Sequence, residues 1–261
     1  MTTKNKELNL ALKRLRLSGM EATLETRALQ AAQGGMDFIE AFTLLIQDET
    51  DRRQSKLMDR AFATSGLKEK ATFDNFNWHF NAKTPRKIIL ELCALKFIYQ
   101  NEDALLIGSP GTGKSHSAKV IAHKATLAGL RVLYREAHVL FEDIAQQTAF
   151  GHRAKFFKTL SEVDLLVIDD LALKKLPANA AEELLDIIMN RYQKKSTLIT
   201  SNRVLDDWGK IFGDQTAASA ILDRLLHRGH LVHFEGKSWR LKEAAERAAR
   251  QKTLDSQTKS P

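Results

Sequence analysis

The chain has a single cysteine and no long apolar run, and both absences narrow the classes of protein to which it can belong. Cys93 is the only cysteine among its 261 residues. A single cysteine excludes an internal disulfide and fits a reducing compartment. One cysteine is also too few for a cysteine-based zinc cluster. No stretch approaches the roughly 20 apolar residues that a membrane-spanning helix needs. We therefore expect a cytoplasmic protein with no membrane segment.

The charge balance is basic. Forty Lys and Arg against 32 Asp and Glu give a formal net charge of +8, and the isoelectric point is near 9.5. This balance favours a polyanionic partner, although it does not say where that partner binds. The chain length is sufficient for one large domain and one small domain.

Four parts of the chain differ in periodicity and composition. The first has apolar residues at helical spacing, the second is aromatic and aperiodic, the third alternates short apolar runs with helical segments, and the fourth is basic and polar. We expect a small helical domain, a linker, an α/β domain, and a tail that begins as a basic helix and ends in disorder. These parts are residues 1–66, 67–84, 85–242 and 243–261.

Acidic and basic residues spaced four apart predict two ion pairs in the helical domain. Asp48 is followed by Arg52, and Glu49 is followed by Arg53. Side chains at this spacing lie on the same face of a helix, so each acid can contact its base.

Five short apolar runs predict a parallel sheet that is covered by helices on both faces, the three-layer α/β class. A helix should precede the first run, because Thr84 is a good cap and Pro85 suits the first helical position; it should extend to about Tyr99. A short sixth strand is possible at 238–241. The five runs are residues 104–107, 131–134, 165–168, 197–201 and 231–234.

The stretch ALLIGSPGTGKSH contains the phosphate-binding loop pattern, between an apolar run and a helical segment. In this pattern, backbone amides of the glycine-rich loop wrap the β-phosphate, the lysine reaches the β- and γ-phosphates, and the serine holds Mg²⁺. The helix that follows adds the positive end of its dipole. The pattern predicts a nucleoside triphosphate and Mg²⁺ as ligands, bound by Gly108, Ser109, Pro110, Gly111, Thr112, Gly113, Lys114, Ser115 and His116.

An acidic pair ends the apolar run LLVIDD. We expect Asp169 to hold the Mg²⁺ shell together with Ser115, as the second acidic element of nucleotide hydrolases does. Asp170 is then placed to polarise the attacking water, and Glu136, at the end of the second run, is the rival base. The alternative for both aspartates is that they cap the following turn.

Asn202 and an arginine complete the predicted catalytic site. Asn202 follows the run TLITS at the carboxyl edge of the sheet, where an amide can orient the water or contact the γ-phosphate, although it could equally form a turn. Phosphoryl transfer needs positive charge on the γ-phosphate, often from an arginine of a neighbouring subunit. Arg224, in the helix predicted at 216–227, and Arg228, one turn later, are the candidates, and a surface ion pair is the alternative for each.

Two basic regions are candidates for contact with the polyanionic partner. One lies between the second and third apolar runs and continues just past Asp170, and the other is 224–261, with nine Lys and Arg against four Asp and Glu. Neither contains a base-reading motif, so we expect any nucleic acid to be bound through its phosphate backbone, with an affinity that falls as the salt concentration rises. A solvated basic surface is the alternative for both. The candidates in the first region are Arg153, Lys155, Lys158, Lys174 and Lys175.

The order GSPGTGKSH, LLVIDD, LITSN and ILDRLLHRG, after a helical domain and an aromatic stretch, resembles the IstB-type transposition helper ATPases. These belong to the AAA+ class and are related to DnaC-type helicase loaders, and the resemblance covers nearly the whole chain. It implies an AAA+ ATPase that assembles as a ring or helical oligomer on target duplex DNA and recruits or stimulates a transposase. It also implies association with the nucleoid. A replicative helicase loader is the alternative function.

Carried over by motif, the resemblance implies roles for the predicted site residues. AAA+ proteins mostly place Glu where Asp170 stands. The Asp170 side chain is shorter by one methylene, so it reaches less far toward the attacking water. The tail after Phe234 is short for a helical lid, so Arg240 is only a stand-in for the second sensor residue. A small-molecule kinase would share the phosphate loop but has no need for an arginine in trans. The implied roles are Walker A for Gly108 to Ser115, Walker B for Asp169 and Asp170, sensor 1 for Asn202, and arginine finger in trans for Arg224.

Overall fold

The computed structural model describes the backbone of residues 3–257 and the side chains of residues 6–251. The chain divides into two compact units, Met1–Ala61 and Phe62–Pro261. The boundary between the units falls inside the helix Phe38–Ser65. We expected the helical domain to end later, at Gly66. Phe62 belongs to the second unit, where its ring lies 5.8 Å from the imidazole of His123.

The first unit is helical. Two of its helices approach closely at Gly19, where a Cβ atom would lie 2.6 Å from the Cα of Glu49. The Glu49 carboxylate accepts the Gly19 N–H at 2.6 Å, so a glycine is needed for this contact. The helices are α1 Thr3–Arg14, α2 Ser18–Gly34 and α3 Phe38–Ser65, of which the last continues into the second unit.

One of the two predicted ion pairs forms. Arg53 pairs with Glu49 at 2.6 Å, as predicted. Asp48 pairs with Arg27 of α2 instead of Arg52, and two nitrogens of Arg27 donate to its two oxygens at 2.8 and 2.7 Å. A bidentate pair of this kind is stronger than an exposed pair along one helix. The Arg27 guanidinium lowers the pKa of Asp48 to about 2.

Five parallel strands form one sheet in the order β2-β3-β4-β1-β5, as the apolar runs predicted. β1 lies between β4 and β5, with Ile107 opposite Ser201 and Gly108 opposite Phe234. The loop after β1 therefore begins beside the carboxyl ends of two other strands. The strands are β1 Asp103–Gly108, β2 Val132–Glu136, β3 Leu165–Leu171, β4 Ser196–Ser201 and β5 Gly229–Phe234.

Helices cover both faces of the sheet. Alternate strand residues enter different hydrophobic clusters, as Leu105 and Ile107 do on one face and Ala104 and Leu106 on the other. The predicted three-layer α/β class is therefore confirmed. Helices α7 to α11 contribute to the first cluster, and α4 to α6 to the second. The helices are α4 Arg86–Cys93, α5 Lys96–Tyr99, α6 Lys114–Leu127, α7 Ala137–Ala149, α8 Arg153–Glu162, α9 Ala180–Arg191, α10 Trp208–Phe212, α11 Gln215–His227 and α12 Trp239–Gln257.

The prediction of one continuous helix from Pro85 to Tyr99 is wrong. The helix is interrupted at Leu95, whose φ is +62°, a conformation that ends a right-handed helix. Leu95 is buried in the cluster on its face of the sheet, so packing of its side chain offsets the strained backbone.

The prediction of a strand at 238–241 is also wrong, because α12 begins at Trp239 and Ser238 precedes it. The Ser238 hydroxyl accepts the N–H of Leu241 at 3.4 Å, the contact of a helix cap. The predicted basic helix therefore starts earlier and continues to Gln257. We expected residues 256–261 to be disordered, but α12 includes residues 256 and 257. Residues 258–261 lie outside the described residues.

The aromatic stretch 67–84, which we expected to be a linker, packs within the second unit. Leu67 and Ala71 are buried, and Phe73 and Trp78 pack against the hydrophobic cluster that includes α6. This stretch contains no helix or strand, so its position depends on these side-chain contacts.

Within residues 3–257, no helix combines the length and the apolar character needed to cross a membrane.

Candidate functional site

The phosphate-binding loop joins β1 to α6. Gly108 has φ +138°, and a Cβ atom there would lie 2.0 Å from the carbonyl oxygen of Phe234. Gly113, with φ +106°, precedes the first residue of α6. Both positions require glycine, and together they let the loop turn from the strand end into the helix N-terminus.

Lys114 is the first residue of α6 and is buried. Its Nζ donates to the carbonyl oxygens of Gly108 and Ser109, each at 2.8 Å. Burial lowers the pKa of Lys114 to about 8, although Asp170 and Asp169 act in the opposite direction. The ammonium group is therefore held inside the loop, close to both carboxylates.

The acidic pair lies at a bulge in β3. The pairing of β3 with β4 shifts register between Ile168 and Leu171, and Asp170 has φ +53°. The extra residue breaks the alternation of side chains between the two faces of the sheet. As a result, Asp170 lines a large cavity beside the loop, while Asp169 is only 2% exposed.

Hydroxyl groups from both neighbouring strands hold Asp169. Tyr134 of β2 donates to its Oδ2, and Thr200 of β4 donates to its Oδ1. The Thr200 hydroxyl also accepts the backbone N–H of Asp170 at 2.9 Å. Burial and the Asp169 charge raise the pKa of Tyr134, so this phenol remains protonated.

Asn202, just past β4, also lines the cavity and donates to Asp170 Oδ1 at 3.4 Å. Burial, followed by repulsion from Asp169, raises the pKa of Asp170. The predicted water-activating pair of Asp170 and Asn202 is thus together in the structure. Glu136, the rival base, is not among the cavity-lining residues and lies 3.6 Å from His138, with its side chain 46% exposed.

The cavity has a volume of about 450 Å³, which suits a nucleotide-sized ligand. One wall is the phosphate-binding loop, and the others come from the aromatic stretch and the start of α12. The lining residues are Thr72, Asn75, Phe76, Asn77, Phe80, Asn81, Thr84, Pro110, Gly111, Thr112, Gly113, Lys114, Ser115, His116, Asp170, Leu173, Asn202, Trp239 and Arg240.

Sequence reasoning missed the aromatic wall. His116 stacks on Phe76, with ring centroids 5.5 Å apart, and its Nε2 lies 2.9 Å from the Thr72 carbonyl oxygen. Phe80 contacts Trp239 edge to face at 4.9 Å. The clustering of aromatic and asparagine residues in FDNFNWHF was the available signal, since such residues suit a ligand wall better than a solvated linker.

The start of α12 is bound directly to the loop. The Trp239 N–H donates to the Gly111 carbonyl at 2.9 Å, and the Asn81 side chain makes two hydrogen bonds to the backbone of Lys237. These contacts bring Arg240, the stand-in for the second sensor, to the cavity.

The donor atoms of the site fit Mg²⁺. The hydroxyl of Ser115 and the carboxylates of Asp169 and Asp170 are hard oxygen ligands, which Mg²⁺ prefers. In the described part of the chain, no group of three or more His, Cys, Asp or Glu is placed to hold a metal.

The two candidate arginines lie away from this cavity. Arg224 of α11 is half-buried, and its Nη1 donates to the Ala220 carbonyl at 2.8 Å. Arg228 caps the end of α11 and is exposed. Neither lines the cavity of its own chain.

The candidate DNA contacts differ in their surroundings. Arg153 is bound within the chain, with its Nη2 2.7 Å from Glu183 and 3.1 Å from Asp186, so its charge is already neutralised. The remaining candidates are exposed: Lys155, Lys158, Lys174 and Lys175.

Comparisons with known proteins identify the family of this chain. Residues 10–247 match the family described as IstB-like ATP binding protein. A protein named for ATP binding and for insertion sequence IS21, from Pseudomonas aeruginosa, is 31% identical over 237 residues, which are 91% of this chain and 89% of that protein. A protein named for ATP binding and for insertion sequence IS5376, from Geobacillus stearothermophilus, is 30% identical over 239 residues, 92% and 95% of the two chains.

Solved structures share the fold. A replication initiator DnaA bound to AMPPCP and single-stranded DNA matches with a TM-score of 0.55 and 23% identity, over 66% of this chain and about half (52%) of that chain. A DnaC helicase loader matches with a TM-score of 0.53 and 22% identity, over 65% of this chain and 100% of that chain. At these identities the likeness shows the fold alone.

Proposed function

The chain belongs to the IstB-like ATP-binding protein family, and from this membership we propose that it is an ATPase that assists transposition of an insertion sequence. In this proposal the protein self-associates into a ring or helical oligomer on target duplex DNA when it binds ATP. The assembly recruits or stimulates the transposase, and hydrolysis releases it. A protein with this role would be found with the nucleoid.

The observation that carries the ATPase proposal is that residues distant in sequence face one cavity. Lys114, Asp170 and Asn202 come from three different strand ends and line the same space. The parallel sheet places the carboxyl ends of β1, β3 and β4 side by side, so these groups can act on one ligand.

Each group has a role in hydrolysis under this proposal. The ammonium of Lys114 contacts the β- and γ-phosphates, and Ser115 and Asp169 hold Mg²⁺, which neutralises phosphate charge when bound. Asp170 accepts a proton from the attacking water, and Asn202 keeps that carboxylate and the water oriented. A raised pKa makes Asp170 a stronger base than an ordinary aspartate.

Asp170→Asn should leave ATP binding near normal and slow hydrolysis by about 100-fold or more, the usual contribution of a general base. Glu136→Gln is the matched control, because it removes a carboxylate at the end of the neighbouring strand. We expect its rate to remain within a few-fold of wild type. Single-turnover hydrolysis and fluorescent-nucleotide binding measure both quantities. If Glu136→Gln abolishes hydrolysis and Asp170→Asn does not, Glu136 is the base.

The net charge of +8 and the names of the relatives support DNA as the polyanionic partner. The experiment that tests the function measures binding to a labelled duplex by anisotropy, with sedimentation to detect assembly, in ATP, in ADP and without nucleotide. We expect large complexes in ATP alone. Equal DNA binding in all three conditions, or none in any of them, would overturn the proposal.

Charge reversal on α8 tests the DNA surface. The double variant Lys155→Glu, Lys158→Glu should weaken binding to all duplex sequences alike. The slope of the logarithm of the binding constant against the logarithm of the salt concentration should become shallower, by about 0.9 for each phosphate that the protein no longer neutralises. The control is Lys87→Glu with Lys96→Glu, an equal change of charge at exposed positions on α4 and α5, which cover the other face of the sheet. Equal effects from the two double variants would show that only the total charge matters.

Helicase loading is the alternative function, because the chain shares its fold with a DnaC helicase loader. Pull-down with purified protein and ATP separates the two functions. Retention of a purified transposase from an IS21-type insertion sequence supports the proposal, and retention of a purified replicative helicase supports the alternative.

A further inference from the structure

The surroundings of Asp169 are unusual for a buried carboxylate. The side chain is 2% exposed, and both of its oxygens accept hydrogen bonds from neutral hydroxyl groups, those of Tyr134 and Thr200. Loss of hydration is costly for a carboxylate, and these two donors replace hydrogen bonds that water would otherwise supply.

The two donors approach from opposite sides. Tyr134 lies on β2 and Thr200 on β4, the two strands that flank β3. An ionised carboxylate has about four acceptor positions, of which these hydroxyls use two. With one oxygen held from each side, the carboxylate has a single orientation, and its two remaining acceptor positions are fixed in direction.

Thr200 has a second contact that Tyr134 lacks. Its Oγ1 accepts the backbone N–H of Asp170 at 2.9 Å, within the bulge that points Asp170 into the cavity. One hydroxyl therefore positions both the metal-side carboxylate and the residue proposed to activate water.

We propose that Tyr134 and Thr200 are positioning residues that aim the Asp169 carboxylate at the Mg²⁺ of Mg–ATP, and that Thr200 also fixes the backbone that presents Asp170. This inference rests on the proposed function. Outer-shell partners of metal ligands typically contribute 10- to 100-fold to metal affinity. The two residues should therefore differ in effect, since Tyr134 acts on metal binding alone and Thr200 acts on metal binding and on the chemical step.

The test uses the full chain and a fluorescent ATP analogue, with binding measured in EDTA and then across a Mg²⁺ titration. Tyr134→Phe keeps the ring, which packs in the hydrophobic core, and removes only the hydroxyl. We expect binding in EDTA within about twofold of wild type and a Mg²⁺ midpoint raised by about 10-fold or more. The matched control is Tyr192→Phe, which removes a phenolic hydroxyl that contacts His227 on the surface and should leave the midpoint unchanged.

Thr200→Val and Thr200→Ser separate the hydroxyl from the shape of the side chain. Valine keeps the volume and should raise the Mg²⁺ midpoint and also lower the single-turnover rate at saturating Mg²⁺ by about 10-fold or more, because Asp170 is no longer fixed. Serine keeps the hydroxyl and should remain near wild type in both measurements. Thr126→Val, which removes a buried threonine hydroxyl from α6, controls for the loss of such a group elsewhere.

Three results would overturn the inference. They are a Mg²⁺ midpoint unchanged in Tyr134→Phe, an equal loss of nucleotide affinity with and without Mg²⁺, and Thr200→Ser as defective as Thr200→Val. If Thr200→Val does not fold, the Tyr134→Phe midpoint decides alone. Failure of the wild-type chain to bind the nucleotide at all is a different outcome and would overturn the proposed function itself.

Discussion

Lys114→Met should reduce ATP affinity by about 100-fold or more, equivalent to at least about 2.7 kcal/mol, because it removes charge-assisted hydrogen bonds to two phosphates. No other Lys or Arg side chain among the described residues of the loop or α6 lines the cavity, so no neighbouring cation of these elements replaces it. The ATP-dependent DNA complex should be lost with the nucleotide. Isothermal titration with Mg–ATP measures the affinity directly.

The control for Lys114→Met is Lys119→Met, a lysine of the same helix that pairs with Glu69 at 2.9 Å. It changes the net charge equally and should leave ATP affinity within about twofold, since an exposed ion pair contributes little. Methionine keeps the aliphatic length of lysine, so the packing around α6 is retained. Unchanged affinity in a folded Lys114→Met protein would contradict the nucleotide site.

The same lysine predicts a pH dependence. Burial lowers its pKa to about 8 without nucleotide, and bound phosphates would raise it, so binding above that pH requires uptake of a proton. Wild-type affinity should be flat well below pH 8 and then fall by up to about tenfold per pH unit. Lys114→Met has no such group, and its residual affinity should not follow this slope. Parallel slopes in the two proteins would assign the titration to another group.

The sheet and the phosphate loop were predictable because their signals are local. Each strand is a continuous apolar run, since both faces of a parallel sheet are buried, and the loop from Gly108 to Ser115 is one contiguous pattern. Asp169 and Asp170 were also found from sequence, as the polar end of a buried strand. What sequence did not reveal is the bulge that separates their two side chains, because that bulge depends on register with β4.

The remaining walls of the site depend on tertiary contacts, and their one local signal is the aromatic and asparagine composition of residues 73–80. Phe80 and Trp239 are distant in sequence, and neither belongs to a periodic pattern that points to a ligand. The same applies to Tyr134, which counts as an ordinary strand residue until its hydroxyl is placed beside Asp169. At Leu95 the local pattern was misleading. The apolar spacing there predicts one continuous helix, but tertiary packing of Leu95 interrupts that helix.

Arg224→Ala should bind ATP nearly normally and hydrolyse it about 1000-fold more slowly or worse, the usual contribution of an arginine finger. In its own chain Arg224 lies outside the nucleotide cavity and donates to the carbonyl of Ala220. A role at the γ-phosphate therefore requires the cavity of a neighbouring subunit. Arg228→Ala, one turn further along the chain and exposed, is the control and should retain most of the activity.

Such a site exists only where subunits meet, so specific activity should depend on assembly. Wild-type activity per subunit should rise with protein concentration and with duplex DNA that promotes self-association. Arg224→Ala should assemble in ATP like wild type, because the substitution removes no part of the ATP-binding loop. A constant specific activity from dilute monomer to full assembly would contradict an active site shared between subunits.

Mixing two inactive proteins tests the shared site most directly. The Arg224→Ala subunit keeps an intact Asp170, and the Asp170→Asn subunit keeps an intact Arg224. The two kinds of subunit can be neighbours in two orders. The site is complete only in the order in which the cavity of an Arg224→Ala subunit faces the Arg224 of an Asp170→Asn subunit. In a random equal mixture about a quarter of the interfaces have that order, and about a quarter of wild-type activity should return. Activity should peak at the equal ratio and vanish toward either pure protein. If subunits shown to co-assemble remain as inactive as the separate variants, Arg224 acts within its own chain or only stabilises α11.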